Sequence, residues 1–367
     1  MAHPTMLTHV LKLHFGWHLA RIKCLSCLII ALFKVKTVNF AELATAVSGS
    51  AKIDSPYRRL QRFFKEVDLQ QDTVSRLVAS LLPYDQFILS IDRSNWMLGC
   101  FAINFLVLSI VHQGTAFPLF WILLSKKGNS NTKERIQLID QFLDVFGSHK
   151  IKYLTGDRAF MGKQWFAYLM THQMKFRLRI KKTMMIARSN GQLSPAENFF
   201  RSLPLSTACQ LVDRRLVCGH PLWVTGMRLP SGDYVIVVTH DDSSQVLNDD
   251  ANRWKIEVLF ESLKSRGFNF EDAKLKDQEA LKRLLAVITL ACCWAYHVGA
   301  WLNEVKPIRI KKHQRPAKSV FRYGFDSIRH LLCNPKDKQH ELQQLLTLLR
   351  NTITGPKAHI FQPYPMF

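Results

Sequence analysis

Apolar residues recur at three- and four-residue steps through LTHVLKLHFGWHLARIKCLSCLIIALFKV and again through RRLQRFFKEVDLQQDTVSRLVASLL, which predicts helices over residues 1 to about 84. Between them, VNFAELATAVSGSAKIDSPYRRLQRFF reads as a short helix, a Gly/Ser turn and a basic helix. From Gln86 the pattern changes to runs of strand length: FILSID, FAINFLVLSIVH and AFPLFWILL, three strands joined closely enough for an antiparallel meander. A helical stretch, SNTKERIQLIDQFLDVFG, leads into the short strand of IKYLTGDRAF, then a helix in WFAYLMTHQM and a strand in KFRLRIKK. In that last strand Lys175, Arg177, Arg179 and Lys181 alternate with Phe176, Leu178 and Ile180, so one face is basic and the other can pack. Residues from about 186 to 245 are short runs separated by Gly, Pro and Ser, a β-rich insertion. A helix near residue 250, a long apolar helix at 280 to 303 and a basic stretch complete the pattern, with no repeat of 20 to 50 residues.

Composition narrows the partner. The 367 residues are 47% hydrophobic, enough for two or three domains with a sizeable core. Lys plus Arg outnumber Asp plus Glu by 50 to 28, a net charge of +22 spread along the chain. Such a field favours a polyanion: nucleic acid first, an anionic membrane surface second. The exposed-looking cations Arg58, Arg59 and Arg62 of the basic helix suit a groove reader, although a plain bundle with a solvated Arg/Lys face explains them as well. The eight cysteines form no regular framework, which points to a reducing cytoplasm. Cys24 and Cys27 make one CxxC with no second ligand pair, and their apolar surroundings favour a core helix over zinc. Residues 101–124 are too broken by His112, Gln113, Gly114 and Pro118 to span a bilayer; 284–302 are long enough, and a buried core helix reads the same way.

The helix near 250, NDDANRWKIEVLFESLKSRGF, has Asn248, Asp249 and Asp250 as candidate N-caps and Gly267 as a candidate C′ residue. At about 100° per residue, Arg253, Glu257 and Lys264 fall on one face, beside an apolar stripe of Ile256, Leu259, Phe260 and Leu263. An ordinary i,i+4 Arg/Glu pair would account for it. Two further carboxylates change that reading. Asp92 and Asp157 each stand at the expected end of a strand, where open α/β sheets place ligands. A strand-end Asp followed by Arg is often only a turn cap. In the order strand Asp, strand Asp, helical Glu, on a basic chain, the three fit a two-metal phosphoryl-transfer site: two Mg²⁺ ions roughly 3.5–4 Å apart need hard oxygen ligands of this kind.

At these residues the sequence resembles a known family. IDRSNW around Asp92, LTGDRAF around Asp157 and NRWKIEVLFESLK around Glu257 look like the three catalytic blocks of bacterial transposases of the insertion-sequence-4 type, in the DDE superfamily. That family's last block is Tyr, two residues, Arg, three residues, Glu, six residues, Lys, and Arg253, Glu257 and Lys264 match it in residue and spacing. The resemblance implies Asp92, Asp157 and Glu257 as catalytic metal ligands for two Mg²⁺ ions, with Mn²⁺ able to substitute. It also implies Arg253 and Lys264 as phosphate contacts. The family's Tyr falls on Asp250, which would repel a phosphate there unless it serves as an N-cap. Relatives stack an aromatic residue of the insertion on a flipped base; Trp223 is the candidate, with a core Trp as the plain account.

The expected architecture is α/β: an RNase H-like mixed sheet flanked by helices, with the β-rich insertion and a helical N-terminal domain. Residues 1–84 would be the DNA-binding domain, 85–305 the catalytic core and 306–367 a basic C-terminal region. The implied partners are double-stranded DNA, as transposon ends and target, and a second copy in a homodimer on that DNA, with no membrane; the setting is the bacterial cytoplasm and its nucleoid. Arg177, Arg179 and Lys181 join Arg58, Arg59 and Arg62 as candidate DNA contacts. Two other readings stay open: a DNA-binding remnant that represses or competes with an active copy, and a nuclease without strand transfer.

Overall fold

A computed structural model describes residues 3–47, 54–264, 267–312, 314–334 and 338–354. The Gly/Ser turn expected at 48–53 and the chain from 355 onward lie outside them. Helices α1 (His3–Lys12), α2 (Leu19–Val35), α3 (Phe40–Ala46), α4 (Asp54–Glu66) and α5 (Gln71–Ser80) come first. Then follow β1 (Phe87–Leu98), β2 (Phe101–His112), β3 (Thr115–Leu124), α6 (Thr132–Phe146), β4 (Ile151–Gly156), α7 (Lys163–Thr171) and β5 (Phe176–Arg179). Short strands β6 (Met185–Ala187), β7 (Leu193–Pro195), β8 (Ala208–Gln210) and β9 (Arg215–Val217) precede β10 (His220–Arg228) and β11 (Tyr234–Thr239). Helix α8 (Val246–Asp250) runs through a single 3₁₀ turn into α9 (Trp254–Lys264), and α10 (Gln278–Val305), α11 (Val320–Cys333) and α12 (Gln339–Thr354) come last.

These elements form two compact units. One gathers Met1–Pro83, Asn95–Ile103 and Leu259–Phe367; the other gathers Tyr84–Ser94 and Asn104–Val258. The long apolar helix α10 groups with the N-terminal helices in the first of these units.

The sheet runs β3-β2-β1-β4-β5-β11-β10-β8, with β9 on β10. Only Gly99 and Cys100 separate β1 from β2, a link that antiparallel strands alone can use, and β2 pairs antiparallel with β3. The pairs β1–β4 and β4–β5 are parallel, as crossovers through α6 and α7 require. Order 3-2-1-4-5 with a meander followed by two parallel crossovers is the RNase H-like arrangement. Strands β11, β10 and β8 arise from the expected insertion, and they extend this same sheet antiparallel from β5. Strands β2 and β3 are buried along nearly their whole length, which is why they read as unbroken apolar runs instead of alternating. Helix α6 starts at a full capping box, Asn131 with Glu134, and its Phe142 packs 6.5 Å from Phe120 of β3.

At the end of β2, His112 is 3% exposed and its Nδ1 shares a 2.7 Å hydrogen bond with the Tyr84 hydroxyl. Burial, and then the charge of Lys255, pushes its pKa down from 6.5 to about 4. The folded protein thus keeps the ring neutral where the unfolded chain would protonate it. Stability is fully present above pH 6.5 and falls between 6.5 and about 4, by about 3 kcal/mol at 1.4 kcal/mol per pH unit. Urea unfolding at pH 7.5 and 4.5 checks this: His112→Gln should flatten the decline by about that amount, and an equal decline in both proteins would sink it.

The helical unit is built around aromatic rings. Phe33 of α2 lies 5.2 Å from Trp294 of α10 and 5.3 Å from Phe325 of α11, and Phe268 lies 5.2 Å from Phe325. By length and composition α10 could cross a bilayer, but 89% of its apolar window is buried within the protein, as for a core helix. Cys24 and Cys27 sit on α2 as free thiols, and burial pushes the Cys24 pKa up to about 11, which favours the protonated thiol over a metal-binding thiolate.

Candidate active site

Parallel pairing of β1 with β4 sets Ile91 opposite Gly156, so the next residue on each strand is an acid: Asp92 and Asp157. Asp92 does not end its strand as expected; β1 continues six residues to Leu98, so its backbone direction is fixed from both sides. Its Oδ1 accepts from the Arg93 N–H at 2.7 Å. Asp157 opens a turn closed by the Ala159 N–H onto its Oδ1 at 2.7 Å and the Phe160 N–H onto its carbonyl at 3.0 Å. Gly156, just before it, has no room for a side chain: a Cβ would lie 3.0 Å from Leu178 and 3.1 Å from Ile91, which keeps β1, β4 and β5 close at the site.

Glu257 reaches the same neighbourhood from α9. The pKa of Asp92 is pushed up to about 7, first by burial and then by the charges of Asp157 and Glu257, against the Arg93 N–H and the Arg253 guanidinium. The charges of Asp157 and Glu257 thus both reach the Asp92 carboxylate. Among the described residues, no three His, Cys, Asp or Glu side chains are gathered closely enough to hold a metal ion as they stand. Glu257 Oε1 is bonded to Arg253 Nη1, the plain i,i+4 pair. The donor set nonetheless fits a divalent cation in chemistry. It offers hard oxygens only, and the repulsion that Asp92 feels from Asp157 and Glu257 is what a cation among them would relieve.

The structure sorts the remaining candidates. Helical conformation begins at Val246, upstream of Asn248, Asp249 and Asp250, so none of the three is an N-cap. Gly267 is not in the left-handed region either; a Cβ there would meet the Ser262 carbonyl at 2.5 Å. On α9, Ile256, Leu259, Phe260 and Leu263 are buried as the stripe requires, while Arg253 is only 6% exposed and lies 5.9 Å over the Trp254 ring. Lys264 is half-buried in the last turn. The basic face expected of β5 fails at Arg177, which is 4% exposed and bonds Asp241, Asp249 and Thr239. Thr239 ends β11, Asp241 follows it and Asp249 lies on α8, so Arg177 anchors that helix to the sheet. Lys181 is exposed, as are Arg58, Arg59 and Arg62 on α4. Trp223 is half-buried in β10, one ring face covered by the Arg214 guanidinium at 5.6 Å, so a stacked base would need the other face or the place of Arg214.

Asp250 is neither a cap nor a free charge. It is 2% exposed, and its Oδ2 accepts from Arg179 Nε at 2.8 Å and Nη2 at 2.6 Å. Removing one partner of a buried pair costs about 3–5 kcal/mol, and because Arg179 keeps 31% of its side chain in contact with solvent, about 2 kcal/mol is expected for Asp250→Tyr. Thermal melts of Asp250→Tyr, Arg179→Met and the double variant should show strong non-additivity; additive losses would mean the pair contributes nothing.

Arg135 of α6 was not legible as a site residue, yet it bonds the turn after Asp157. The signal was available: it occupies an apolar position of its helix, in step with Leu138, Ile139 and Phe142. Asn252, which donates to the Tyr153 hydroxyl at 2.7 Å and ties the α8–α9 junction to β4, carried no such mark.

An RNase H-like sheet with one acid on its first strand, one just past its fourth and a third on a later helix is a framework for phosphoryl transfer on nucleic acids. The family model of the transposase DDE domain matches residues 103–294, 192 of 367, and the chain belongs to that family. Asp157 and Glu257 lie inside the matched segment and Asp92 just before it. Among solved structures, the chain is similar to a piggyBac transposase synaptic complex with hairpin DNA, determined by cryo-EM, at 12% identity and a TM-score of 0.46, covering 91% of this chain and 76% of that one. A likeness that remote carries no residue-level argument. Among curated proteins, none matches.

Proposed function

We propose that the chain is a transposase of the insertion-sequence-4 type, which cuts DNA at the ends of its element and joins the released 3′-hydroxyl to target DNA. The observation that supports this most is the parallel register that sets Asp92 beside Asp157, with the charge of Glu257 on α9 also reaching Asp92, in a chain of the DDE family. Domains of this family generally use divalent metal ions. Here Asp92, Asp157 and Glu257 would hold two Mg²⁺, with Mn²⁺ able to substitute; when bound, the ions would activate the attacking oxygen and stabilise the departing one. The chain's own residues hold the acids for that task. Backbone N–H groups of Arg93 and Ala159 fix Asp92 and Asp157, and Arg253 holds Glu257 through Nη1.

Exposed Arg58, Arg59 and Arg62 would read the ends, with Lys181 and Lys264 as further phosphate contacts. Arg177 drops out of that set because its donors are occupied. The protein would work as a homodimer on paired ends, on nucleoid DNA in a bacterial cytoplasm. The remnant reading gains if Asp250, in place of the family Tyr, abolishes chemistry; pairing with Arg179 offsets the Asp250 charge and supports the active reading over it. The test is nicking of labelled DNA carrying the element's own ends, with Mg²⁺ or Mn²⁺ and with a chelator. Metal-dependent nicks at the ends are expected; binding without nicking under every metal condition would favour the remnant.

A further inference from the structure

Helix α6 places a guanidinium where its pattern calls for an apolar side chain. Arg135 is 5% exposed, on the face that buries Leu138, Ile139 and Phe142. A buried cation costs several kcal/mol unless its donors are satisfied. Those donors go to uncharged oxygens. Nε bonds Ser130 Oγ at 3.0 Å, and Nη2 bonds the Ser130 carbonyl at 2.6 Å and the Ala159 carbonyl at 2.9 Å. Nη1 bonds the Met161 carbonyl at 3.1 Å, and the guanidinium carbon lies 5.2 Å over the Phe160 ring. Among the described residues Arg135 makes no ion pair; the carboxylates whose charges act on it are Glu134 and Asp157.

Ala159, Phe160 and Met161 are the turn that starts at Asp157. An apolar residue would pack on this face at lower cost, and a lysine lacks the rigid fork that fixes two carbonyl directions at once. We infer that Arg135 is a positioning residue: from α6 it fixes the 157–161 turn, so that the Asp157 carboxylate is held ready for a divalent ion shared with Asp92. This rests on the metal-site reading above. It also accounts for a charge that neither DNA contact nor core packing requires, since Arg135 is buried from the one and costly in the other.

The experiment titrates Mn²⁺ into the free protein, followed by electron paramagnetic resonance, for the parent, Arg135→Lys, Asp157→Asn and the double variant, alongside thermal melts and metal-free binding to end DNA. Loss of a residue that orients a metal ligand typically weakens metal affinity by about 10–100-fold, and Arg135→Lys should do the same with end binding unchanged. In the Asp157→Asn background the same change should add little, because the ligand it orients is already impaired. A residue that only supports the fold would lower the melting temperature and leave Mn²⁺ affinity, measured well below the melt, within about twofold of the parent; that result overturns the inference. Should Arg135→Lys fail to fold, Ser130→Ala removes one anchor and keeps the charge: severalfold weaker Mn²⁺ binding supports the inference, and parental binding overturns it. A parent that binds no Mn²⁺ overturns the metal-site reading and this inference together, whereas parental affinity in a folded Arg135→Lys overturns this inference alone.

Discussion

Asp92→Asn, Asp157→Asn and Glu257→Gln are each expected to lower end cleavage by at least ~10³-fold, about 4 kcal/mol at 1.4 kcal/mol per tenfold, while leaving metal-free end binding within a few-fold. Each substitution keeps the shape of the side chain and removes the charge that a divalent ion needs. The stability readout separates the three. Asp92 is held against its own burial and the charges of Asp157 and Glu257, so Asp92→Asn should melt at or above the parent temperature. Glu257→Gln should melt lower, since Arg253, 6% exposed, would lose its ionic partner in a poorly solvated place. Lost activity with unimpaired stability is the signature of an acid kept for chemistry. Cleavage at the parental rate by any of the three removes that residue from the site.

Much of this site was legible in the sequence because it lies on regular elements. The meander and the strand before Asp157 read as apolar runs of strand length, and the helix bearing Glu257 carries an apolar stripe that places the acid at its edge. What the period could not show was pairing between distant segments. Arg177 and Arg179 alternate with apolar neighbours as a wetted strand face would, but α8 packs on β5 with Asp249 and Asp250, and the chain leaving β11 brings Asp241 to the same place. Alternation records which residues share a face and says nothing of what covers it. The same limit hid the reach of the sheet: Gly, Pro and Ser between short runs suggested an insertion, whereas the register of β11 on β5, Val238 opposite Leu178, makes those runs a continuation of the sheet. Asp250 shows the converse. An acid in the place of a family Tyr reads as a defect when only the sequence is in view, and as half of a buried pair once Arg179 is seen beside it.

The helical unit depends on a contact with no apolar signature at all. Gly299 of α10 and Gly324 of α11 face each other so closely that a Cβ on Gly324 would lie 1.8 Å from the Ala295 carbonyl oxygen and 2.5 Å from the Gly299 nitrogen. A Cβ on Gly299 would lie 1.9 Å from the Val320 carbonyl oxygen. The obstructing atoms are backbone, so no rotamer change can make room and the helices must separate by an ångström or more. Two effects of Gly324→Ala oppose each other. Helix propensity favours Ala by about 1 kcal/mol. Overpacking typically costs about 1–3 kcal/mol, and here it is compounded because separating the helices also loosens the Phe33, Trp294 and Phe325 cluster, so a net loss above about 3 kcal/mol is expected. Urea unfolding followed by tryptophan fluorescence, with Trp294 and Trp301 both on α10, measures it. Gly16→Ala is the control, with nothing within 4 Å of its added Cβ and an expected change near zero. Parental stability in Gly324→Ala would mean that the two helices do not meet through their glycines.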